Sequence, residues 1–254
     1  MTDIVPMWHD ERGAGDPVVL LHGGLTDGRC FTGNLDALAA TFKIYLPDRR
    51  GHGRTPDAPG PITIDLMARD TIAFLEGVIG GPARLVGYSA GGTVALRVAT
   101  LRPDLVERLV LISTAHDLDG LIFKPSAEGE MPAELVDAYA EVSPDGLDHF
   151  PVVIGKIAHA VATEPSPDPA DLRAVTARTL VLAGDDDLVT LDHTVALYRA
   201  LPDAELAVLP NASHLLLMEH AETVHAMVRT FLTTDAAPTY MPIARARQDA
   251  PDAR

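Results

Sequence analysis

The stretch Leu85-Val86-Gly87-Tyr88-Ser89-Ala90-Gly91-Gly92 constrains this chain more than any other. Before it, Ala83-Arg84-Leu85-Val86 reads as a strand; after it, Thr93 to Ala99 reads as a helix; between them a serine is flanked by Gly87 and Gly91. The pattern predicts a strand, a tight turn with Ser89 at its apex, and a helix. At the two glycine positions a side chain would collide with neighbouring backbone in so sharp a turn. The turn pushes the hydroxyl into the open. The NH of Ala90 falls in the first helical turn, where it lacks an intrahelical acceptor and can face a developing oxyanion.

The rest of the chain alternates strands with helices. Pro17 to Leu21 is a continuous apolar strand, preceded by a loose alternation from Ile4 to Asp10. Phe31 to Ala40 is expected to be helical, with Phe31, Leu35, Leu38 and Ala39 on one face, and Phe42 to Leu46 is the next strand. Helical spacing over Ile64 to Leu75 places Asp65 in a first turn, where its charge suits the helix dipole. Val106 to Ser113, Thr179 to Ala183 and Glu205 to Leu209 read as further strands, with a helix over Thr194 to Leu201. Parallel neighbours need crossovers, so this order predicts an α/β fold with a doubly wound, mostly parallel sheet. At 254 residues one such domain with an insertion is expected, and with only 5% aromatic residues its core must be mainly Leu, Val, Ile and Ala. From about Thr114 to Arg173 glycine, proline and acidic residues interrupt short amphipathic pieces, Ala133 to Tyr139 and Phe150 to Val161.

The G-x-S-x-G turn resembles the nucleophile elbow of the α/β-hydrolase superfamily, and other segments resemble that family in the same order. These are His22-Gly23-Gly24, then Asp48-Arg49-Arg50-Gly51-His52-Gly53-Arg54-Thr55, then Gly184 to Val189, then Pro210-Asn211-Ala212-Ser213-His214 with Glu219 beyond. The resemblance implies Ser89 as nucleophile, Asp187 as triad acid and His214 as catalytic histidine. It also implies an oxyanion hole from the backbone NH groups of Gly24 and Ala90, with Leu25 replacing Gly24 if the loop is shifted by one residue. Asp185 and Asp186 are expected to be solvated or to hold the turn; Asp117 and Asp119 mark the rarer position of the acid after the preceding strand. His22 is expected to support its loop, and His52 with its charged neighbours to lock theirs. The family's helical cap would occupy residues 114–173, its core 1–113 and 174–232, and a flexible tail 233–254. Leu25, Tyr88, Phe123, Tyr139, Phe150 and Ile154 are candidates for the substrate pocket, together with Met131 and Ile157.

The expected activity is that of a serine hydrolase cleaving a small carboxylic ester or lactone through an acyl-enzyme, without metal or other cofactor. The fold also serves hydrolases that cleave carbon-carbon bonds of ring-fission products, and ligand receptors with little turnover, and both readings stay open. The expected partner is the small-molecule substrate. A formal charge of −16 opposes binding to nucleic acid or an anionic membrane surface. Cys30 is the only cysteine, so no intrachain disulfide can form. The start Met1-Thr2-Asp3-Ile4-Val5 lacks a basic segment and a long apolar run, which leads to an expected cytoplasmic location.

Overall fold

The computed structural model describes residues 4–123, 131–164, 169–236 and 239–241. Seven strands form one sheet: β1 (His9–Arg12), β2 (Pro17–Leu21), β3 (Lys43–Pro47), β4 (Ala83–Tyr88), β5 (Val106–Ile112), β6 (Arg178–Asp186) and β7 (Ala204–Ser213). Their spatial order is β1-β3-β2-β4-β5-β6-β7, and every pair is parallel except β1 with β3. The chain leaves β2 for β3 on one side and then crosses to β4 on the other. The sheet therefore has its topological switch point between β2 and β4, the crevice where open α/β sheets place ligands.

Alternation along each strand feeds two cores. Val19 and Leu21 of β2 and Leu85 of β4 enter one core beneath α1 (Ile64–Phe74) and α2 (Ala90–Leu101); Val18, Leu20, Val86 and Tyr88 enter the other. The second core is closed by Phe31, Leu35 and Leu38, and by Val224, Val228 and Phe231 of the final helix. Phe31 to Ala40 is not one helix. It forms two 3-10 turns, Gly28–Phe31 and Leu35–Ala40, separated at Gly33, whose φ is +79°, and Asn34, whose side chain accepts from Leu35 N. The apolar positions still reach the core; the backbone between them breaks at the residues least able to continue a helix.

Between β5 and β6 lie α3 (Ala133–Val142) and α4 (Phe150–Thr163), and Tyr139, Phe150 and Val153 pack into the first core. Polar contacts also tie this insertion to the sheet domain. Arg29 reaches Glu141 and Ala138 O, Lys156 Nζ and His149 Nε2 meet the Asp57 carboxylate, and Glu164 accepts from the NH groups of Ile64 and Asp65 at the start of α1. After β6 come α5 (Leu191–Ala200), β7, the single turn α6 (Leu216–Glu219) and α7 (Ala221–Thr233). The expected tail lies, beyond 241, outside the described residues. Among the described residues no helix is long and apolar enough to cross a membrane.

Candidate active site

Ser89 joins β4 to α2 with φ 53° and ψ −124°, a conformation that L-residues avoid and that persists only where surroundings impose it. Ser89 N donates to Ile112 O at 2.8 Å, and Ser89 O accepts from Gly92 N at 2.8 Å. A side chain at Gly87 would place its Cβ 2.5 Å from Gly91 O, and one at Gly91 would run into the carbonyls of Leu21 and His22. Gly92 has the same requirement, unanticipated from the motif, because Thr114 occupies the space where its Cβ would be.

The acid and histidine arrive on the neighbouring strand ends. β6 and β7 pair as far as Asp186 and Ser213, with an irregularity after Gly184, where any Cβ would collide with Ala212 O. This close approach brings Asp187 Oδ1 to 2.7 Å from His214 Nδ1, and His214 Nε2 to 3.0 Å from Ser89 Oγ. Burial pushes the Asp187 carboxyl up, but hydrogen bonds from His214, Ser113 and the Val189 NH outweigh it and hold it below the usual carboxylate range. Ionised, Asp187 only accepts; the Nδ1 proton therefore faces it, leaving Nε2 to accept from Ser89 Oγ. The set can transfer a proton from serine to imidazole.

Two further side chains support this set, and of them only Glu219 was marked by the motifs. Ser113, at φ 51°, donates to Asp187 Oδ2 at 2.5 Å. Glu219 accepts from Ser213 N at 2.8 Å and Ser213 Oγ at 2.7 Å, bracing the loop just before the histidine. Tyr88, expected in the pocket, instead lies buried in the second core with its hydroxyl donated to His214 O at 2.7 Å.

Gly24 and Ala90 stand side by side: a Cβ on Gly24 would lie 3.7 Å from that of Ala90, and one on Gly23 would lie 3.6 Å from Ser89 Cβ. Leu25 follows with φ 57°. The loop is fixed from beneath by His22 and Arg49. His22 Nδ1 donates to Gly23 O at 2.8 Å, and its Nε2 accepts from Arg49 N at 3.0 Å; burial and the nearby Arg49 charge keep the ring neutral. The Arg49 guanidinium donates to His22 O and Gly23 O at 2.7 and 2.8 Å, and burial lowers its pKa to about 10, still cationic at neutral pH.

The remaining loop motif is a lock. Asp48 accepts from Gly28 N and Arg54 N, and Arg50 grips Asp70 through Nε and Nη2 at 2.6 and 2.8 Å. Asp185 accepts from Ala212 N, and Asp186 is exposed. Asp117 caps the turn Leu118–Gly120 and pairs with His116 at 3.0 Å, while it is Asp187 that meets His214.

Leu25, Tyr139 and Phe150 line a water-sized cavity of about 10 Å³ between insertion and sheet domain, with Val153 and His52. Ile154, Met131 and Ile157 are partly buried against the first core, and Phe123 is 74% exposed. Among the described residues, His116, Asp117 and His193 form the one group with metal-ligand spacing. Their imidazoles stack at 4.0 Å and 18°, so their in-plane lone pairs do not converge on one ion, and His193 Nε2 already accepts from His116 N. The group fits a hydrogen-bonded imidazole pair, not a metal centre.

Residues 18–227 match the model of the alpha/beta hydrolase family. The chain is 29% identical to the dihydrolipoyllysine-residue acetyltransferase component of the acetoin cleaving system of Pseudomonas putida, over 89% of this chain and 66% of that protein. It is 30% identical to a Mycobacterium tuberculosis protein named as a non-heme bromoperoxidase, over 92% of this chain and 100% of that one. A thermophilic esterase from Thermogutta terrifontis superposes with a TM-score of 0.68 at 28% identity, covering 89% of this chain and 92% of that one. These names do not agree on one substrate, but the match of the family model over most of the chain decides the lineage. The chain belongs to the alpha/beta hydrolase family.

Proposed function

We propose that the chain is a serine hydrolase that cleaves a small carboxylic ester or lactone through an acyl-enzyme. The observation that carries this reading is the continuous line Ser89 Oγ, His214 Nε2, His214 Nδ1, Asp187 Oδ1, with links of 3.0 and 2.7 Å. The likeness to an esterase at 28% identity supports ester chemistry.

In this reading Ser89 attacks the carbonyl carbon as His214 Nε2 takes its proton, because an unassisted serine hydroxyl is a poor nucleophile. Asp187 keeps the imidazole oriented and balances the imidazolium. The tetrahedral oxyanion lies between the NH groups of Gly24 and Ala90, each such donor contributing about 3 to 4 kcal/mol in transition states of this kind. His214 then protonates the departing alkoxide, and on the return half it activates water that releases the acyl group. Arg49 supports the oxyanion loop from below by holding two of its carbonyls, so the Gly24 NH is pre-oriented before substrate arrives.

The test is labelling with a fluorophosphonate read by intact mass, together with turnover of aryl esters and lactones by the wild type and Ser89→Ala. One adduct, absent in Ser89→Ala, with turnover lost in that variant is the expected outcome. A folded wild type that takes no adduct and turns over no ester or lactone would remove the reading.

A further inference from the structure

The residue before Ser89 touches every segment of the candidate site except the acid. Tyr88 is the last residue of β4 and is bonded directly to Ser89. One edge of its ring lies against the loop after β2: a Cβ on Gly23 would stand 3.2 Å from both Tyr88 Cδ1 and Cε1. At its far end the hydroxyl donates to His214 O at 2.7 Å, and the two rings stand 5.5 Å apart. The residue is 7% exposed, and burial pushes the phenol's pKa up, so it stays a protonated donor wherever an imidazole can serve as base.

The loop that carries His214 is braced mainly from other directions. Asp185 Oδ1 accepts from Ala212 N at 3.1 Å, Glu219 accepts from Ser213 N and Oγ, and His220 Nε2 donates to Asn211 O at 2.9 Å. Asp185 belongs to β6, while Glu219 ends α6 and His220 follows it. These bonds fix residues 211–213 against the strand of the acid and the chain beyond. They stop one residue short of the histidine. Of the bonds named, only that from Tyr88 reaches the backbone of residue 214, and only it comes from the strand that ends at Ser89. A phenol has just two side-chain torsions, so a ring engaged at both ends sets a definite spacing.

We propose that Tyr88 is a positioning residue for His214: its hydroxyl, through His214 O, sets the distance between the imidazole and Ser89 Oγ before substrate arrives. This rests on the serine-hydrolase reading. The serine proton can move only when Nε2 is within hydrogen-bond reach, and a misplacement of about 1 Å costs roughly a hundredfold in rate. Without the Tyr88 hydroxyl, Asp187 would still hold the Nδ1 edge of the ring, so the loss should be partial, about tenfold. Tyr88 touches no reacting atom in this role.

The test replaces the donor while keeping the ring. Tyr88→Phe is compared with variants carrying 4-fluorophenylalanine at position 88, which fills the space without donating, and 4-aminophenylalanine, which donates from the same place. Ser89 sites are counted by fluorophosphonate labelling at saturation, so that rates refer to folded enzyme alone. Per labelled site, Tyr88→Phe and the fluoro variant should lose about tenfold in kcat on an aryl ester, with KM within about twofold. Their rate of labelling should fall by the same factor, since phosphonylation needs the same proton transfer. The amino variant should recover to within about threefold of wild type.

Wild-type kcat and labelling rate in the fluoro variant would overturn the role. Fewer labelled sites with normal turnover at each would also overturn it, by showing that the hydroxyl serves folding alone. A loss shared equally by the fluoro and amino variants would assign the effect to the ring and not to the bond with His214 O. In all three cases a labelled, active wild type leaves the hydrolase intact. A folded wild type with neither adduct nor turnover would instead remove the hydrolase reading, and the role of Tyr88 with it.

Discussion

The hydroxyl of Ser113 lies 2.5 Å from Asp187 Oδ2, the oxygen opposite the one that meets His214. With Gly184 N near Oδ2 and Val189 N near Oδ1, both carboxylate oxygens are held, and Asp187 cannot rotate away from the imidazole. Ser113→Ala should lower kcat about tenfold, about 1.4 kcal/mol of barrier, with KM little changed. Ser113→Gly separates the bond from the backbone. It relieves the positive φ of 51° but still lacks the hydroxyl, so it should be as slow as the alanine variant. If glycine restores the rate, strain and not the hydrogen bond was responsible.

Two buried neutral imidazoles make the fold sensitive to acid. The folded pKa of His52 is about 3 and that of His22 is also well below normal, against about 6.5 in an unfolded chain. As pH falls below about 6.5 the unfolded state takes up protons that the folded state refuses, so stability falls by roughly 1.4 kcal/mol per pH unit for each ring. Urea unfolding at pH 7.5, 6.5 and 5.5 should show this loss concentrated in the lower interval. His22→Asn and His52→Asn should each flatten it; a slope unchanged by both would place the acid sensitivity elsewhere.

Asp187 titrates in the other sense. Its folded pKa is depressed, so its contribution is present above the unfolded carboxylate value of about 4 and is lost as pH falls through the lower folded value. The stability difference between wild type and Asp187→Asn should therefore persist at pH 5 and be lost only below about pH 4. Denaturant melts of both proteins across that range provide the check, and a difference that vanished already at pH 5 would mean that the carboxylate is not held ionised by its neighbours.

Asp57 is a charged tie between sheet domain and insertion. Its carboxylate meets Lys156 Nζ at 2.5 Å and His149 Nε2 at 2.9 Å, and its NH donates to Asp145. Partly exposed pairs of this kind contribute about 0.2 to 1 kcal/mol each, enough to bias the seating of α3 and α4 without deciding the fold. Asp57→Asn should raise KM for esters about threefold while kcat stays within about twofold, and high salt should produce the same shift in the wild type. A fall in kcat alone would show that the tie acts on the chemistry and not on substrate entry.

The meeting of Ser89, Asp187 and His214 was legible because each sits in a short segment with its own local demand, a glycine-flanked turn or a strand end. Ser113 was not, because its partnership with Asp187 exists only through the side-by-side pairing of β5 and β6, distant in the chain. Tyr88 could have been placed correctly from period alone: two residues after Val86 in a strand, it shares that residue's face and belongs to the second core. Phe123 gave no such signal, since aromatic character in a loop does not reveal exposure. The break in Phe31 to Ala40 was visible at Gly33 and Asn34, but the apolar spacing on either side suits a broken backbone as well as a continuous helix.

Glycine supplies the sharpest contrast available to mutation. At Gly91 an added Cβ would meet the carbonyls of Leu21 and His22, backbone that cannot yield without moving β2 and the loop that follows it. At Gly155, inside α4, an added Cβ meets nothing within 4 Å. The same Gly→Ala change should thus act in opposite directions. Gly155→Ala should stabilise by about 0.5 to 1 kcal/mol through lower unfolded-state entropy and better helix propensity, visible as a Tm higher by about 2 °C. Gly91→Ala should cost about 3 kcal/mol or more and abolish turnover, because relieving the collision displaces Ser89 and the Gly24 loop together. If Gly91→Ala instead folds with wild-type activity, β2 and the elbow can separate without loss, and the close approach drawn here between Leu21, His22 and Gly91 does not hold in solution.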